Sequence, residues 1–341
     1  MDVPIRSALI PHLRGAGFNA TERTLVEDLK RLRPHLPGDL ELRLEKGTVR
    51  LVAKSDSIYE SRKAENPELK NKIADAALFR LFGVRPREPV QSTLTFPAKI
   101  PGESRDIRHK LRALNAKSEV TIHIDAGSTT GAVMRQMLQA GSFPLRTFPG
   151  GDQTNTPHGG PHERLLIPRI ISNSQPMAEE VFHSPHRYFF EFNLIGGSLR
   201  PRHGSYCGPL SMMALKSWEH LRGDVSIIGA SGFQATAHGA PAFACDHFPE
   251  SQMKAALLAH GWLRSVIFDS SKLDHTLPKN PFALLTAKEL DLVITDDGKT
   301  TGSEHQIESF VNASFEAGVA VLLVSSDDPE IQWRPHAKWH V

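Results

Sequence analysis

Two hydrophobic rhythms divide this chain. Between Pro4 and Gly17, apolar residues Ile5, Leu9, Ile10 and Leu13 recur at helical spacing, which predicts a short helix. A second follows over residues 21–32, where Asn19, Ala20 and Thr21 precede a run that sets Leu25, Leu29 and Leu32 on one face. Residues 40–51 then switch to period two on both sides of Lys46 and Gly47, the pattern of a β-hairpin. From residue 120 onward, short apolar runs alternate with amphipathic stretches. The runs are 120–124, 165–171, 188–195, 225–228, 265–268, 292–294 and 319–324; the helical stretches between them are 132–138, 176–182, 209–221, 249–260 and 304–316. Strands alternating with helices predict an α/β fold, a mostly parallel, helix-covered sheet, preceded by a small winged helix-turn-helix domain.

Length and composition fit that division. The 341 residues, 40% of them hydrophobic, suit two domains rather than one. The boundaries expected are a winged helix over 1–55, a connector helix with an insertion over 56–117, an α/β domain over 118–330 and a tail over 331–341. The net charge of +2 advertises neither nucleic acid nor membrane in bulk. It is unevenly placed, however. From Arg80 to Lys117 nine Lys/Arg (80, 85, 87, 99, 105, 108, 110, 112, 117) face three acids (88, 103, 106), a net +6. That stretch reads as a solvated excursion or as an auxiliary surface for DNA phosphates. Cys207 and Cys245 lack the number and spacing of a metal knuckle or disulfide framework, so reduced thiols are expected. No apolar run is long enough to span a bilayer and no signal-peptide pattern opens the chain, which predicts a cytoplasmic protein without a membrane partner.

The candidate chemistry centres on residues 120–130. A β-branched apolar strand ends there in Asp125, Gly127 and the hydroxyls Ser128, Thr129 and Thr130, immediately before a helix. Free backbone N–H groups, the helix dipole and those hydroxyls can form the floor of a small-anion pocket. The alternative is that Ser128 or Thr129 simply caps the helix. Polar and glycine residues cluster again at the other strand ends, the edge where open α/β sheets bind ligands.

Several of these phrases resemble one family. Residues 21–32 are similar to the recognition helix of DeoR-type winged-helix regulators: Thr24, Asp28 and Leu29 fit, while Val26 and Glu27 stand where a basic pair is usual. Residues 57–77 resemble that family's connector, an aromatic-Glu-x-Arg phrase leading to Lys-x-x-Ile-Ala. The segments 125–130, 172–174, 196–197, 228–232, 269–272 and 294–296 occur in the order of its C-terminal sensor domain. That domain is related in fold to ribose-5-phosphate isomerases and coenzyme A transferases.

The resemblance implies a transcriptional regulator whose effector, a phosphorylated sugar or similar small anionic metabolite, binds at the strand ends and changes affinity for operator DNA. Gly127, Ser128, Thr129 and Thr130 would cradle the phosphate, and Asp125 and Asn173 would hold sugar hydroxyls. Gly196 and Gly197 would admit the ligand to the backbone, Ser231 would line the site, and Lys272 would supply counter-charge. Glu250 and Lys254 match a Glu-x-x-x-Lys phrase and are either a pocket pair or a surface i,i+4 pair. Thr21, Arg23, Thr24, Lys30 and Arg31 would face DNA. A homo-oligomer is implied, with no cofactor and no metal; His158 and His162, with His183 and His186, invite a metal reading, but histidines on a Gly/Pro loop lack fixed ligand geometry.

Two other functions stay open. An isomerase-like enzyme would use Asp125, Asp269 or Glu250 as base, although the neutral residues 229–232 replace the acidic loop expected there. A ligand-dependent interaction module that has lost DNA binding would account for Glu27 and for the short chain before Pro4.

Overall fold

In the computed structural model, residues 2–16, 21–32, 40–45, 48–53, 58–82, 105–117, 119–140, 143–145, 164–218, 220–235, 241–245, 247–273, 282–286 and 289–325 are described. Outside them lie Gly17, Lys46 and Gly47, residues 83–104 of the basic stretch, His158 and His162, and the tail 331–341. The chain divides into two units, residues 1–58 and 59–341.

The first unit holds β1 (Asp2–Pro4), a π-helical turn (Ile5–Leu9), α1 (Ile10–Gly15), α2 (Glu22–Leu32), β2 (Leu40–Glu45) and β3 (Thr48–Ala53). The hairpin has the expected register, with Leu42 opposite Leu51 and Leu44 opposite Val49. β1 adds antiparallel to β3 through Val3 and Val49. The single helix expected over 4–17 is therefore shorter. Pro11, at the start of α1, lacks an N–H and its ring obstructs the preceding turn, so a regular α-helix begins only at Ile10. Thr21 and Thr24 start α2 reciprocally: Thr21 N donates to Thr24 Oγ1 (3.0 Å) and Thr24 N to Thr21 Oγ1 (3.2 Å).

The second unit opens with α3 (Ile58–Ala64), α4 (Pro67–Phe82) and α5 (Arg105–Asn115). Then come β4 (Glu119–Ile124), α6 (Ser128–Ala140), β5 (Phe143–Leu145), β6 (Arg164–Ser172), α7 (Gln175–His183) and β7 (Glu191–Leu194). β8 (Ser198–Arg200), β9 (Ser205–Cys207), α8 (Pro209–Ser217), β10 (Gly223–Gly229), β11 (Gly232–Ala235), β12 (Pro241–Cys245) and α9 (Phe248–Ala259) follow. The described part ends with β13 (Gly261–Ile267), β14 (Phe282–Thr286), β15 (Leu292–Asp296), α10 (Glu304–Glu316) and β16 (Ala320–Val324).

The main sheet runs β16-β15-β13-β10-β4-β6, with β7 parallel to the later half of β6 and β5 antiparallel to its first residues. Seven of its eight strands are thus parallel, and helices cover both faces. One core layer joins Ile122, Ile124, Val225, Ile227 and Leu292 to Ile73, Leu81, Leu111, Val133 and Met137 of α4, α5 and α6. The other joins Ile228, Val266 and Val293 to Met253, Leu257 and Phe310 of α9 and α10 and to Phe243 of β12. Burial on both faces is why these strands read as continuous apolar runs rather than alternating ones.

Differences from the sequence expectation are local. The run 188–195 splits into a 3-10 turn (Arg187–Phe189) and β7. The second layer also carries a small antiparallel sheet, β11-β12-β14, that the hydrophobic pattern did not predict. No helix among the described residues is long and apolar enough to cross a membrane, and both cysteines are buried free thiols.

Candidate functional site at the strand ends

The turn after β4 is built from Asp125 outward. Its carboxylate is fully buried. Oδ1 accepts from Gly229 N (2.9 Å), Oδ2 pairs with the Lys254 ammonium, and that ammonium also donates to Gly229 O (3.0 Å). Lys254 comes from α9 and Gly229 ends β10, so one buried ion pair clamps two adjacent strand ends and a covering helix. A buried pair is kept only when its remaining hydrogen bonds are met, as they are here.

Thr130 closes the turn. Its hydroxyl accepts from Gly127 N (2.9 Å) and lies 2.9 Å from both Asp125 O and Gly127 O, to either of which it can donate. A Cβ on Gly127 would stand 2.8 Å from that hydroxyl, so the tight turn requires glycine. The helix-capping hydroxyl is therefore Thr130, not Ser128 or Thr129 as the alternative reading expected. Ser128 and Thr129 begin α6 at 8% and 5% exposure, and among the described residues neither hydroxyl has a hydrogen-bond partner.

The neighbouring strand ends brace this turn. Asn173 Oδ1 accepts from Ala126 N (3.2 Å) and its Nδ2 donates to Tyr206 O (2.8 Å), joining the ends of β4, β6 and β9. Ser174 caps α7 by accepting from Met177 N. Gly197, at φ +136°, lies against α8: a Cβ there would be 2.0 Å from Ser211 Oγ. Ser211 in turn donates to Gly196 O (2.7 Å). Helix approach thus requires Gly197, whereas a Cβ on Gly196 would meet open space. Ser231 is half-buried just after β10.

Glu250 and Lys254 are both buried, which removes the surface-pair alternative. They point to different partners: Glu250 pairs with Arg200, Lys254 with Asp125. Of the three carboxylates considered as a base, Asp125 and Glu250 are therefore committed to cations. Asp269 accepts from the Ser271 hydroxyl and lies 3.8 Å from the ammonium of Lys70.

Lys70 is the residue that the sequence reading passed over. It sits in α4, fully buried, and its ammonium donates to Arg62 O and Glu65 O at the end of α3. Burial lowers its pKa. The available signal was its place beside Leu69, Ile73 and Ala77 on the buried face of α4. Lys272, from a 3-10 turn after β13, lies 3.8 Å from Glu65. Over the first turn of α6 stands the Tyr59 hydroxyl, within 3.4 Å of Arg135, which also meets Glu180 at 3.4 Å. Burial pushes the Tyr59 phenol up to about 12. Two largely buried residues whose hydroxyls have no partner among the described residues, a helix N-terminus and nearby cations make an arrangement that can hold an anion.

The remaining candidates lie elsewhere. In the first unit the Thr21 and Thr24 hydroxyls are engaged with each other, Arg23 and Glu27 are exposed on α2, and the side chains of Lys30 and Arg31 fall outside the described ones. The basic segment's helix α5 is not a free excursion: Ile107, Leu111 and Leu114 are buried, Lys110 reaches Asp291 at 3.0 Å and Lys117 pairs with Asp224. A cavity of about 400 Å³ beside it, lined by Lys110, Arg222, His260, Trp262 and Arg264, opens at the opposite edge, where β10 and β13 begin. No group of three potential metal ligands occurs among the described residues.

The family model for the DeoR C terminal sensor domain matches residues 166–297, from β6 to just beyond β15. The match takes in Asn173, Gly196, Gly197, Ser231, Glu250, Lys254 and Lys272, and begins after the turn that carries Asp125 to Thr130. No curated protein matches the chain.

Proposed function

We propose that this protein is a DeoR-type transcription regulator, a reading supported by the match of residues 166–297 to the DeoR C-terminal sensor domain. Its strand-end site binds a small anionic metabolite of the phosphorylated-sugar class, and the helix-helix-hairpin of residues 1–58 binds operator DNA as part of a homo-oligomer. The observation that carries the ligand reading is the pair Ser128 and Thr129, buried at the start of a 13-residue helix with their hydroxyls unpartnered. Two amides and two hydroxyls presented together suit a phosphate better than a neutral group. Asp125 and Asn173, whose polar atoms already brace the turn, shape the floor and offer only their remaining lone pair or proton to a sugar hydroxyl.

Commitment of Asp125 and Glu250 to Lys254 and Arg200 favours binding over isomerase chemistry, because a general base must be free to take a proton. Incubation with pentose and hexose phosphates followed by NMR should show no isomerisation. The exposed Glu27 on α2 favours a second reading, an interaction module without sequence-specific DNA binding, since a carboxylate there repels phosphate.

Selection of genomic fragments by the purified protein at two salt concentrations separates the two. Recovery of a discrete palindromic site, lost or gained on adding sugar phosphates, is the expected outcome. Diffuse, salt-sensitive retention or none would overturn the regulator in favour of the interaction module.

A further inference from the structure

The geometry points to a ligand-operated latch at the elbow between α3 and α4, with Lys272 as the cation that an anionic ligand withdraws from it. The inference rests on the anion-binding reading of the strand ends. At the elbow Asn66 adopts a left-handed φ of +46° and Pro67 starts the next helix, so the chain turns abruptly. Two lysines hold that turn from different sides.

Lys70 is the fixed side. It is buried, bonded to Arg62 O and Glu65 O, and offset by Asp269. Withdrawing it would strand a charge in the interior.

Lys272 is the exchangeable side. Its side chain is 14% exposed, and the Glu65 carboxylate it faces at 3.8 Å is 53% exposed. Pairs this open to water are weak and screened by salt. A phosphate group, with more charge and three acceptor oxygens, outcompetes a single half-solvated carboxylate for the same ammonium. The ends of β4 and β13 are separated by β10 alone. That is two strand spacings, about 10 Å, and the turn that carries Lys272 follows β13 at the same edge of the sheet. Lys272 and Arg135 both disfavour the charge on Lys70, so an anion among the three cations also relieves repulsion present without it.

The two states therefore differ in ligand affinity, as a population shift requires. When Lys272 turns to the ligand, Glu65 loses its cation, and the end of α3 keeps its bonds to Lys70 and the Lys63–Glu180 pair. At the other end of α3, Tyr59 stands over Gly131 in the same helical turn that receives the anion; a Cβ on Gly131 would lie 2.4 Å from its hydroxyl. One ligand thus acts on both ends of the helix through which the chain leaves residues 1–58.

The test is amide hydrogen exchange on the full chain with millimolar inorganic phosphate, against chloride at matched ionic strength, with calorimetry on the same samples. Phosphate should bind and speed exchange of the amides of residues 62–70 by about threefold, the factor expected for loss of one weak pair, while α9 stays unchanged. Glu65→Gln should exchange at the faster rate without phosphate and bind phosphate about threefold tighter, having lost the competitor. Lys272→Gln should also exchange fast but bind more weakly. Phosphate that binds without altering elbow exchange, or Glu65→Gln that leaves both rates as in the wild type, would overturn the latch and leave the anion site standing. No binding by either protein would overturn both.

Discussion

At the scale of single residues, the site is a set of buried charges whose partners lie far apart in sequence. Asp125 and Lys254 are separated by 129 positions, and nothing in the local pattern of either announces the other. What was legible in the chain was the turn itself, because a β-branched run ending in Asp, Gly and hydroxyls admits few structures. Which hydroxyl caps and which stays free was not legible, since three adjacent Ser/Thr residues differ only in the direction the backbone gives them. Replacing Lys254 by Met should leave the Asp125 carboxylate with Gly229 N alone and destabilise the protein by about 3–5 kcal/mol in urea unfolding. Adding Asp125→Asn should recover part of that loss, and additive losses would mean that the pair is not coupled. Asp75 in α4 offers a pH test. Burial pushes its carboxyl up from 3.8 to about 6, so the folded state holds the proton more tightly than the unfolded chain. Stability then falls as pH rises from about 4 to about 6, and the cost is complete above that range. Asp75→Asn should stabilise by on the order of 2 kcal/mol at pH 7 and have little effect near pH 3.5; an equal effect at both would exclude titration as its origin.

At the scale of elements, the strands and most helices of the α/β unit follow from periodicity. The short antiparallel strands do not. β11, β12 and β14 are held by pairing with one another across loops, so no internal rhythm marks them. The helix α5 illustrates how charge can mislead. Its Lys110, and Lys117 just beyond its end, read as candidates for DNA phosphates, yet they are matched to Asp291 and Asp224 at the edge where β10 and β15 begin, and the apolar face of α5 joins the core. Lys110→Glu should therefore act on stability: a third carboxylate beside Asp291 and Asp106 loosens α5, raising exchange of the amides of residues 105–117 and lowering stability by about 1 kcal/mol. Its effect on the salt dependence of DNA retention should be small. A large drop in salt slope without loss of stability would return α5 to the DNA-facing role.

At the scale of the whole molecule, the chain divides into two units. The second has both core layers and every strand-end residue, and α4, expected from sequence as part of a connector, contributes ten buried residues to it. A fragment of residues 59–341 should consequently fold cooperatively and bind phosphate like the full chain, by calorimetry and urea unfolding. Failure to fold would mean that residues 1–58 supply part of its core. The two buried thiols give this unit an internal clock. Cys207 ends β9 and Cys245 ends β12, and both lie in the second core layer, near enough for one to bear on the other's charge. A thiol reagent reaches either one only when that layer opens, so the two alkylation rates time one shared opening. A ligand that steadies the rim should slow both rates together, without any label having been introduced.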